Sequence, residues 1–168
     1  MPSYTKAEAR EWAREKLFGV ANVVIPTMTS DFKSLNEKAI RHDVETTINH
    51  GFVGTLACSE VAITLDEYDE MVRIMADQSA GRIVIVHHAV FNTLEDNIEA
   101  AKRAQDSGAD LVLLGYPPYF FPKSMEEVYE YSKAFCDATD LAVMLFPIPT
   151  WGFTRLDPLD ITVPVLRR

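Results

Sequence analysis

The segment RIVIVHHAVFNTLED, residues 82–96, contains the repeat that decides the fold. Its first part is a run of β-branched residues that ends in two adjacent histidines. Its second part places Thr93 and Asp96 at the spacing of a helix N-cap. Hydrophobicity that is nearly continuous, rather than alternating, is typical of a parallel strand covered on both faces. The segment therefore predicts a buried strand followed by a helix.

Four similar apolar runs occur along the chain, at intervals of roughly 30 residues, the spacing of a strand–helix unit. They read GVANVVIP, FVGTLAC, DLVLLGY and LAVMLFP, and they begin near Gly19, Phe52, Asp110 and Leu141. Between the runs lie amphipathic segments that carry their own capping residues. The helix signals are Thr64 with Glu67, Ser124 with Glu127, and the terminal glycines Gly51 and Gly108. The chain is therefore predicted to contain five strand–helix units.

Repeated right-handed strand–helix units form either an open doubly wound sheet or a closed barrel. The regular spacing, without a GxGxxG or GxxxxGK[ST] motif, favours a (β/α)₈ TIM barrel. We predict an N-terminal helical segment at residues 1–18 and a partial barrel domain at residues 19–168. Because a complete barrel takes about 250 residues, the chain would carry about the first five βα units. A complete five-stranded doubly wound domain is the alternative.

Composition limits the class of protein. The 168 residues carry a formal net charge of -9, and an acidic surface repels nucleic acids and anionic membranes. No apolar run reaches the roughly 18 residues of a membrane span, and the charged N-terminus has no signal core. Cys58 and Cys136 lack the spacing of metal ligands and are predicted to be free thiols. We therefore expect a cytoplasmic protein that binds neither nucleic acid nor membrane.

Four blocks of the sequence resemble consecutive blocks of one enzyme family. They are GVANVVIPTM, HGFVGTLACSEVAITLDEYDEMV, SGADLVLLGYPPYFFPKSMEEVYEY and TDLAVMLFPIPTWGF. The order and spacing are similar to those of the dihydrodipicolinate synthase and N-acetylneuraminate lyase family, which are class I aldolases on a (β/α)₈ barrel. The resemblance implies a pocket at the carboxyl ends of the strands, in which a 2-oxo acid such as pyruvate forms a Schiff base with a lysine. It also implies no cofactor and a homo-oligomer, either a dimer or a tetramer. No metal is expected, because adjacent strand histidines cannot easily bind one ion and no carboxylate or cysteine at a suitable spacing completes a site.

The resemblance implies that the Schiff-base lysine comes from the sixth strand. The sequence ends before that strand, so the lysine is expected beyond the end of this chain. The remaining half of the barrel would then be a partner of this half. None of the lysines present matches the expected position: Lys6, Lys16, Lys33, Lys38, Lys102, Lys123 and Lys133.

The end of the second run matches the position of the family's Gly-Thr-Thr-Gly-Glu motif, which holds the substrate carboxylate. Here residues 56–60 read Leu-Ala-Cys-Ser-Glu, so only the glutamate is retained. The resemblance assigns substrate contacts to Ala57, Cys58, Ser59 and Glu60. Ser59 supplies a hydroxyl one position after the missing threonines, whereas a thiol is a weak donor. The alternative is that Cys58 is a small buried residue and that Ser59 is part of the turn.

The resemblance also assigns two aromatic positions. Phe146 takes the place of the family's proton-relay tyrosine and is predicted to line the substrate site. Tyr119 keeps its family counterpart and is predicted to be catalytic, whereas Phe120 replaces the tyrosine that crosses the dimer interface. Because phenylalanine cannot carry a proton, these differences predict that the chain is not an authentic dihydrodipicolinate synthase.

His87 and His88 end the third run, where the family has a small turn. Successive strand residues point to opposite faces, so only one of the two can face the barrel interior. That histidine is predicted to be a general acid or base, and the alternative is a polar residue bound to a neighbouring carbonyl. The overall prediction is a divergent aldolase or hydratase acting on a 2-oxo acid. The competing prediction is a non-catalytic half-barrel that associates with a partner half.

Overall fold

The predicted strands form one parallel sheet in a computed structural model that describes residues 2–61, 63–147, 153 and 165–167. The sheet order follows the chain order, and every neighbouring pair is parallel. The strands are β1 Ala21–Val24, β2 Gly54–Ala57, β3 Val84–Ala89, β4 Leu111–Leu114 and β5 Ala142–Leu145. A doubly wound sheet reverses its strand order at a switch point, and this sheet has no reversal. The doubly wound alternative is therefore wrong.

Helices connect the strands as the repeats predict. A short 3₁₀ turn, Lys6–Glu8, precedes the first helix. The helices are α1 Ala9–Lys16, α2 Glu37–Asn49, α3 Leu65–Ser79, α4 Leu94–Asp106 and α5 Met125–Ala138. Within the described part of the chain, no helix is long and apolar enough to cross a membrane.

The helix ends confirm the capping signals. Thr64 begins α3 with a complete capping box, in which its hydroxyl accepts from the amide of Glu67 and the Glu67 carboxylate binds Thr64 in return. Thr93 and Ser124 cap α4 and α5 through their hydroxyl groups. Gly51 and Gly108 follow helix ends with φ of 76° and 103°, the left-handed region that glycine enters without strain.

The main core lies between the sheet and the helices α2, α3, α4 and α5. Strand side chains on this outer face, such as Val24, Ile85 and Val112, belong to one buried cluster with residues of the helices. Helix α3 contributes a fully buried stripe, Tyr68, Met71, Val72 and Met75. Burying one such apolar side chain contributes about 1.5–3 kcal/mol, so this layer accounts for much of the stability.

The N-terminal segment packs against the opposite, inner face of the sheet. Trp12 and Leu17 contact a small cluster that includes Val84 and Leu111. The Tyr4 hydroxyl donates to the carbonyl of Asp110 at 2.5 Å and accepts from the amide of Ala142 at 2.6 Å. These contacts lie at the amino ends of the strands, so they leave the carboxyl ends open.

The boundary at residue 18 remains a prediction. Parts of the predicted 19–168 domain, residues 62, 148–152, 154–164 and 168, lie outside the described residues.

Candidate functional site

A cavity of about 480 Å³ lies on the inner face of the sheet. We call it the inner cavity, and it is lined by residues from all five strands and the segments next to them. These are Leu17, Ala21, Asn22, Val23, Val53, Gly54, Leu56, Cys58, Glu60, Val86, His88, Leu111, Leu113, Met144 and Phe146. Ligands of parallel α/β barrels bind at the carboxyl ends of the strands, and Cys58, Glu60 and His88 of this set are located there, whereas Asn22 is near the amino end of β1.

Strand alternation explains which predicted site residues reach the inner cavity. In β2 and the residue after it, Leu56 and Cys58 line the cavity. Ala57, between them, is fully buried on the outer face and belongs to the helix-side core. The assignment of the Ala57 side chain to substrate contact is therefore corrected, because the pleat turns it away from the cavity.

His88 is the histidine that faces the inner cavity. Its backbone is held by side chains on both sides: the amide donates to the Tyr68 hydroxyl at 3.0 Å, and the carbonyl accepts from Ser59 Oγ at 2.9 Å. Burial lowers the pKa of His88 to about 4, so the ring is neutral at pH 7. Its buried Nδ1 has no hydrogen-bond partner among the described residues. A neutral imidazole can accept a proton at the ring nitrogen that does not already carry one.

His87 faces the opposite way, into the helix-side core. It is fully buried, its ring stacks on Phe91, and its Nδ1 lies 3.0 Å from the Tyr68 hydroxyl. Burial, with His88 beside it, lowers the pKa of His87 to about 3. His87 does not reach the inner cavity, so its predicted place among the catalytic residues is corrected, for the same reason of strand alternation.

The loop after β2 brings three predicted residues together. Cys58 and Glu60 line the inner cavity, and Ser59 lies beside it through its hydrogen bond to His88. Glu60 is exposed at the rim, and partial loss of solvent raises the pKa of its carboxyl group. Phe146, at the end of β5, lines the cavity from the other side, and its contact with substrate stays a prediction.

Tyr119 lies away from the inner cavity. Its side chain is 78% exposed in the loop between β4 and α5, and it is absent from the cavity wall. Among the described residues the inner cavity does not include Tyr119, and its catalytic role stays a prediction. Phe120, next to it, packs on Tyr116 with ring centroids 5.7 Å apart.

Sequence reasoning missed the role of Tyr68. The sequence places it in the apolar stripe of α3, and it is buried there, but its hydroxyl bonds to the ends of β2 and β3. The signal was present, because a buried tyrosine needs a hydrogen-bond partner that its Met and Val neighbours cannot supply.

Among the residues that the structure describes, no lysine or arginine lines the inner cavity. All seven lysines lie in the described part of the chain, and none contributes to the wall. The described wall therefore supplies hydrogen-bonding groups and apolar surface, and it supplies no amine.

Residues 16–163 match the model of the Dihydrodipicolinate synthetase family. The chain belongs to this family. The resemblance seen in the sequence blocks is confirmed.

The curated relatives of this dihydrodipicolinate synthetase family member include synthases from several bacteria. The chain is 32% identical over 132 residues to the 4-hydroxy-tetrahydrodipicolinate synthase of Leptothrix cholodnii. That alignment covers 79% of this chain and 44% of the relative. It is 29% identical over 157 residues to the 4-hydroxy-tetrahydrodipicolinate synthase of Anaplasma marginale. That alignment covers 91% of this chain and 50% of the relative. The chain thus spans about half the length of the curated relatives that it matches.

Solved structures of the family share the fold. The 4-hydroxy-tetrahydrodipicolinate synthase of Methylacidiphilum fumariolicum SolV superposes with a TM-score of 0.76 at 25% identity, over 89% of this chain and 49% of that one. N-acetylneuraminate lyase from Fusobacterium nucleatum superposes with a TM-score of 0.76 at 16% identity. The superposition covers 89% of this chain and 52% of the lyase. The predicted fold class is confirmed: the five parallel strands form part of a (β/α)₈ barrel.

The prediction that this family member is not an authentic dihydrodipicolinate synthase is wrong. The curated relatives at about 30% identity are named 4-hydroxy-tetrahydrodipicolinate synthase. Phenylalanine at positions 120 and 146 therefore does not separate the chain from this group of enzymes.

Proposed function

We propose that this chain forms the first five βα units of a pyruvate-dependent lyase of the 4-hydroxy-tetrahydrodipicolinate synthase type. The observation that carries the proposal is the inner cavity, which gathers polar groups at the carboxyl ends of β2 and β3 within a member of this family. A solved family member, YagE from Escherichia coli K12, is described in complex with pyruvate. In the proposed reaction the ketone of the 2-oxo acid condenses with a lysine amine, and water leaves.

The described residues divide the remaining work between them. The backbone amide of Ser59, next to Cys58, binds the substrate carboxylate as a hydrogen-bond donor, because the described part of the wall has no cation to pair with it, and the Ser59 hydroxyl, which donates to the carbonyl of His88, holds that backbone in place. His88, neutral at pH 7, takes a proton from the carbon next to the imine carbon. Glu60 orders the rim of the loop, and Phe146 packs against the apolar part of the substrate.

The lysine belongs, in this proposal, to the part of the barrel that completes the sheet. Strands β1 and β5 are the ends of the described sheet, and each pairs with one neighbour. Apolar side chains on these two strands are exposed, for example Val23 at 52% and Met144 at 42%. Three further βα units, on the same polypeptide or a separate one, would pair with both edges and cover these residues.

The same observation favours the second candidate, a half-barrel that has no activity alone and acts by associating with a partner half. We place the completed lyase in the cytoplasm as a dimer or tetramer. The free thiols of Cys58 and Cys136 agree with a reducing compartment.

Borohydride trapping tests the proposal. The 168-residue chain and a completed barrel, in which three βα units of the Leptothrix cholodnii relative are joined after residue 168, are each treated with pyruvate and borohydride. We expect the completed barrel to gain a reduced pyruvate adduct on a lysine of the added units, because borohydride converts the imine to a stable secondary amine. We expect no adduct on the chain alone, since its lysines are outside the cavity. Intact mass spectrometry measures whether each protein gains the adduct, and peptide mapping identifies the modified lysine.

The control is the completed barrel with borohydride and no pyruvate. Circular dichroism and size-exclusion chromatography establish that the completed barrel is folded. A folded barrel without an adduct would contradict the proposed lyase. An adduct on Lys123 of the chain alone would show that the Schiff-base lysine belongs to this half of the barrel, and it would contradict the proposed position of the lysine.

A further inference from the structure

A single buried hydroxyl joins the ends of β2 and β3 behind the inner cavity. Tyr68 Oη lies 3.1 Å from the carbonyl oxygen of Ala57, 3.0 Å from the amide nitrogen of His88 and 3.0 Å from Nδ1 of His87. All four residues are almost completely buried, with at most 2% of their surface exposed. The hydroxyl therefore contacts the last residue of β2 and the residue of β3 that faces the cavity.

The number of donors and acceptors around the Tyr68 hydroxyl determines which nitrogen of His87 carries the proton. The amide of His88 can only donate, and the carbonyl of Ala57 can only accept. If Nδ1 of His87 carries the proton, it donates to Tyr68 Oη, and the Tyr68 hydroxyl is free to donate to Ala57. All three contacts are then hydrogen bonds, and the hydroxyl oxygen uses both of its lone pairs.

The other tautomer leaves polar groups unpaired. With the proton on Nε2 of His87, the Tyr68 hydroxyl would donate to Nδ1, and the Ala57 carbonyl would lose this donor. Nε2 is buried without a hydrogen-bond partner among the described residues in both tautomers, so this tautomer leaves an N–H donor unpaired there and the Nδ1–H tautomer leaves a ring lone pair. Burying an unpaired donor costs more than the bond it replaces. The Nδ1–H tautomer is thus the one that this environment stabilises.

We propose that Tyr68 and His87 form a buried positioning pair for the candidate site. His87 holds the Tyr68 hydroxyl in place, and that hydroxyl sets the separation of the β2 end and the His88 backbone. Ser59, two residues beyond Ala57, links the same two strand ends a second time, because its hydroxyl donates to the carbonyl of His88. The pair touches no substrate, and it acts through the groups that line the inner cavity.

The inference rests on the proposed function for its effect on catalysis, and on geometry alone for its effect on His88. The two are tested separately. The first test uses the 168-residue chain labelled with ¹⁵N-histidine, in which long-range ¹H–¹⁵N correlations report the tautomer of each ring. We expect His87 as the Nδ1–H tautomer, and we expect Tyr68→Phe to speed hydrogen exchange at the His88 amide at least tenfold. An Nε2–H tautomer, or an unchanged amide, would overturn the pair.

The second test measures turnover in the completed barrel. We expect Tyr68→Phe and His87→Leu to lower kcat by about 10- to 100-fold with a smaller change in KM, because displaced groups react poorly even when substrate still binds. His87→Asn restores a donor near the position of Nδ1, so its kcat should be within about threefold of the parent protein, by the same positional argument.

The matched control is Tyr116→Phe. Tyr116 is equally buried, and its hydroxyl bonds to Ser132 at 2.8 Å, away from the inner cavity. This variant should lose thermal stability as Tyr68→Phe does, with kcat unchanged. Equal losses of kcat in the two variants would assign Tyr68 a role in stability only. If the parent barrel has no turnover, the proposed function fails, and the tautomer and exchange measurements still decide the positioning pair.

Discussion

His88→Gln is expected to lower kcat of the completed barrel by about 10²- to 10⁴-fold, the usual contribution of a general base. His88 is the titratable residue of β3 on the cavity wall, and burial holds its pKa at about 4, so its unprotonated form is present at neutral pH. Glutamine has a similar size and keeps a polar end, but it cannot take up a proton. Steady-state kinetics with pyruvate as the varied substrate measure the effect.

The split between kcat and KM distinguishes proton transfer from substrate binding. A loss in kcat with little change in KM indicates a group that acts in the transition state, whereas a rise in KM alone indicates binding. His42→Gln is the matched control, because His42 is exposed on α2 and is not one of the residues that line the cavity. A His88→Gln enzyme with the parent kcat would show that the base lies elsewhere.

Acidification from pH 7 to pH 5 is expected to destabilise the chain strongly. Burial lowers the folded-state pKa of His87 to about 3 and that of His88 to about 4, whereas an unfolded histidine titrates near 6.5. Between these values the unfolded chain binds more protons, so stability is complete above pH 6.5 and is lost as the pH falls towards the folded-state values. By pH 5 each histidine costs about 2 kcal/mol, and a domain has about 5–15 kcal/mol in total.

Two half-buried carboxyl groups act in the opposite direction. Burial raises the pKa of Asp69 and of Asp110, so these groups bind protons more tightly in the folded chain and favour it at low pH. A comparison of variants isolates the histidine contribution from this background. Urea unfolding at pH 7 and pH 5 should show that His87→Asn loses about 2 kcal/mol less than the parent chain, since asparagine does not titrate. Equal losses would mean that His87 does not control the acid response.

Much of the fold follows from local patterns in the sequence. The continuous apolar runs predict strands covered on both faces, and the Thr64, Thr93 and Ser124 hydroxyls begin the helices where the capping spacing predicts. These signals are local, because a cap binds an amide three residues away and a strand run is short. The order of the units along the chain then becomes the order of the sheet, since short right-handed connections place each strand next to the previous one.

The candidate site depends on directions that local patterns do not contain. The sequence determines that two histidines end β3 and that Cys58, Ser59 and Glu60 follow β2. Only the tertiary structure decides that His88 faces the cavity and His87 faces α3, since a shift of one residue in strand register would exchange them. The Tyr68 hydroxyl reaches β2 and β3 from α3 because packing of the helix on the sheet brings together atoms up to 20 residues apart.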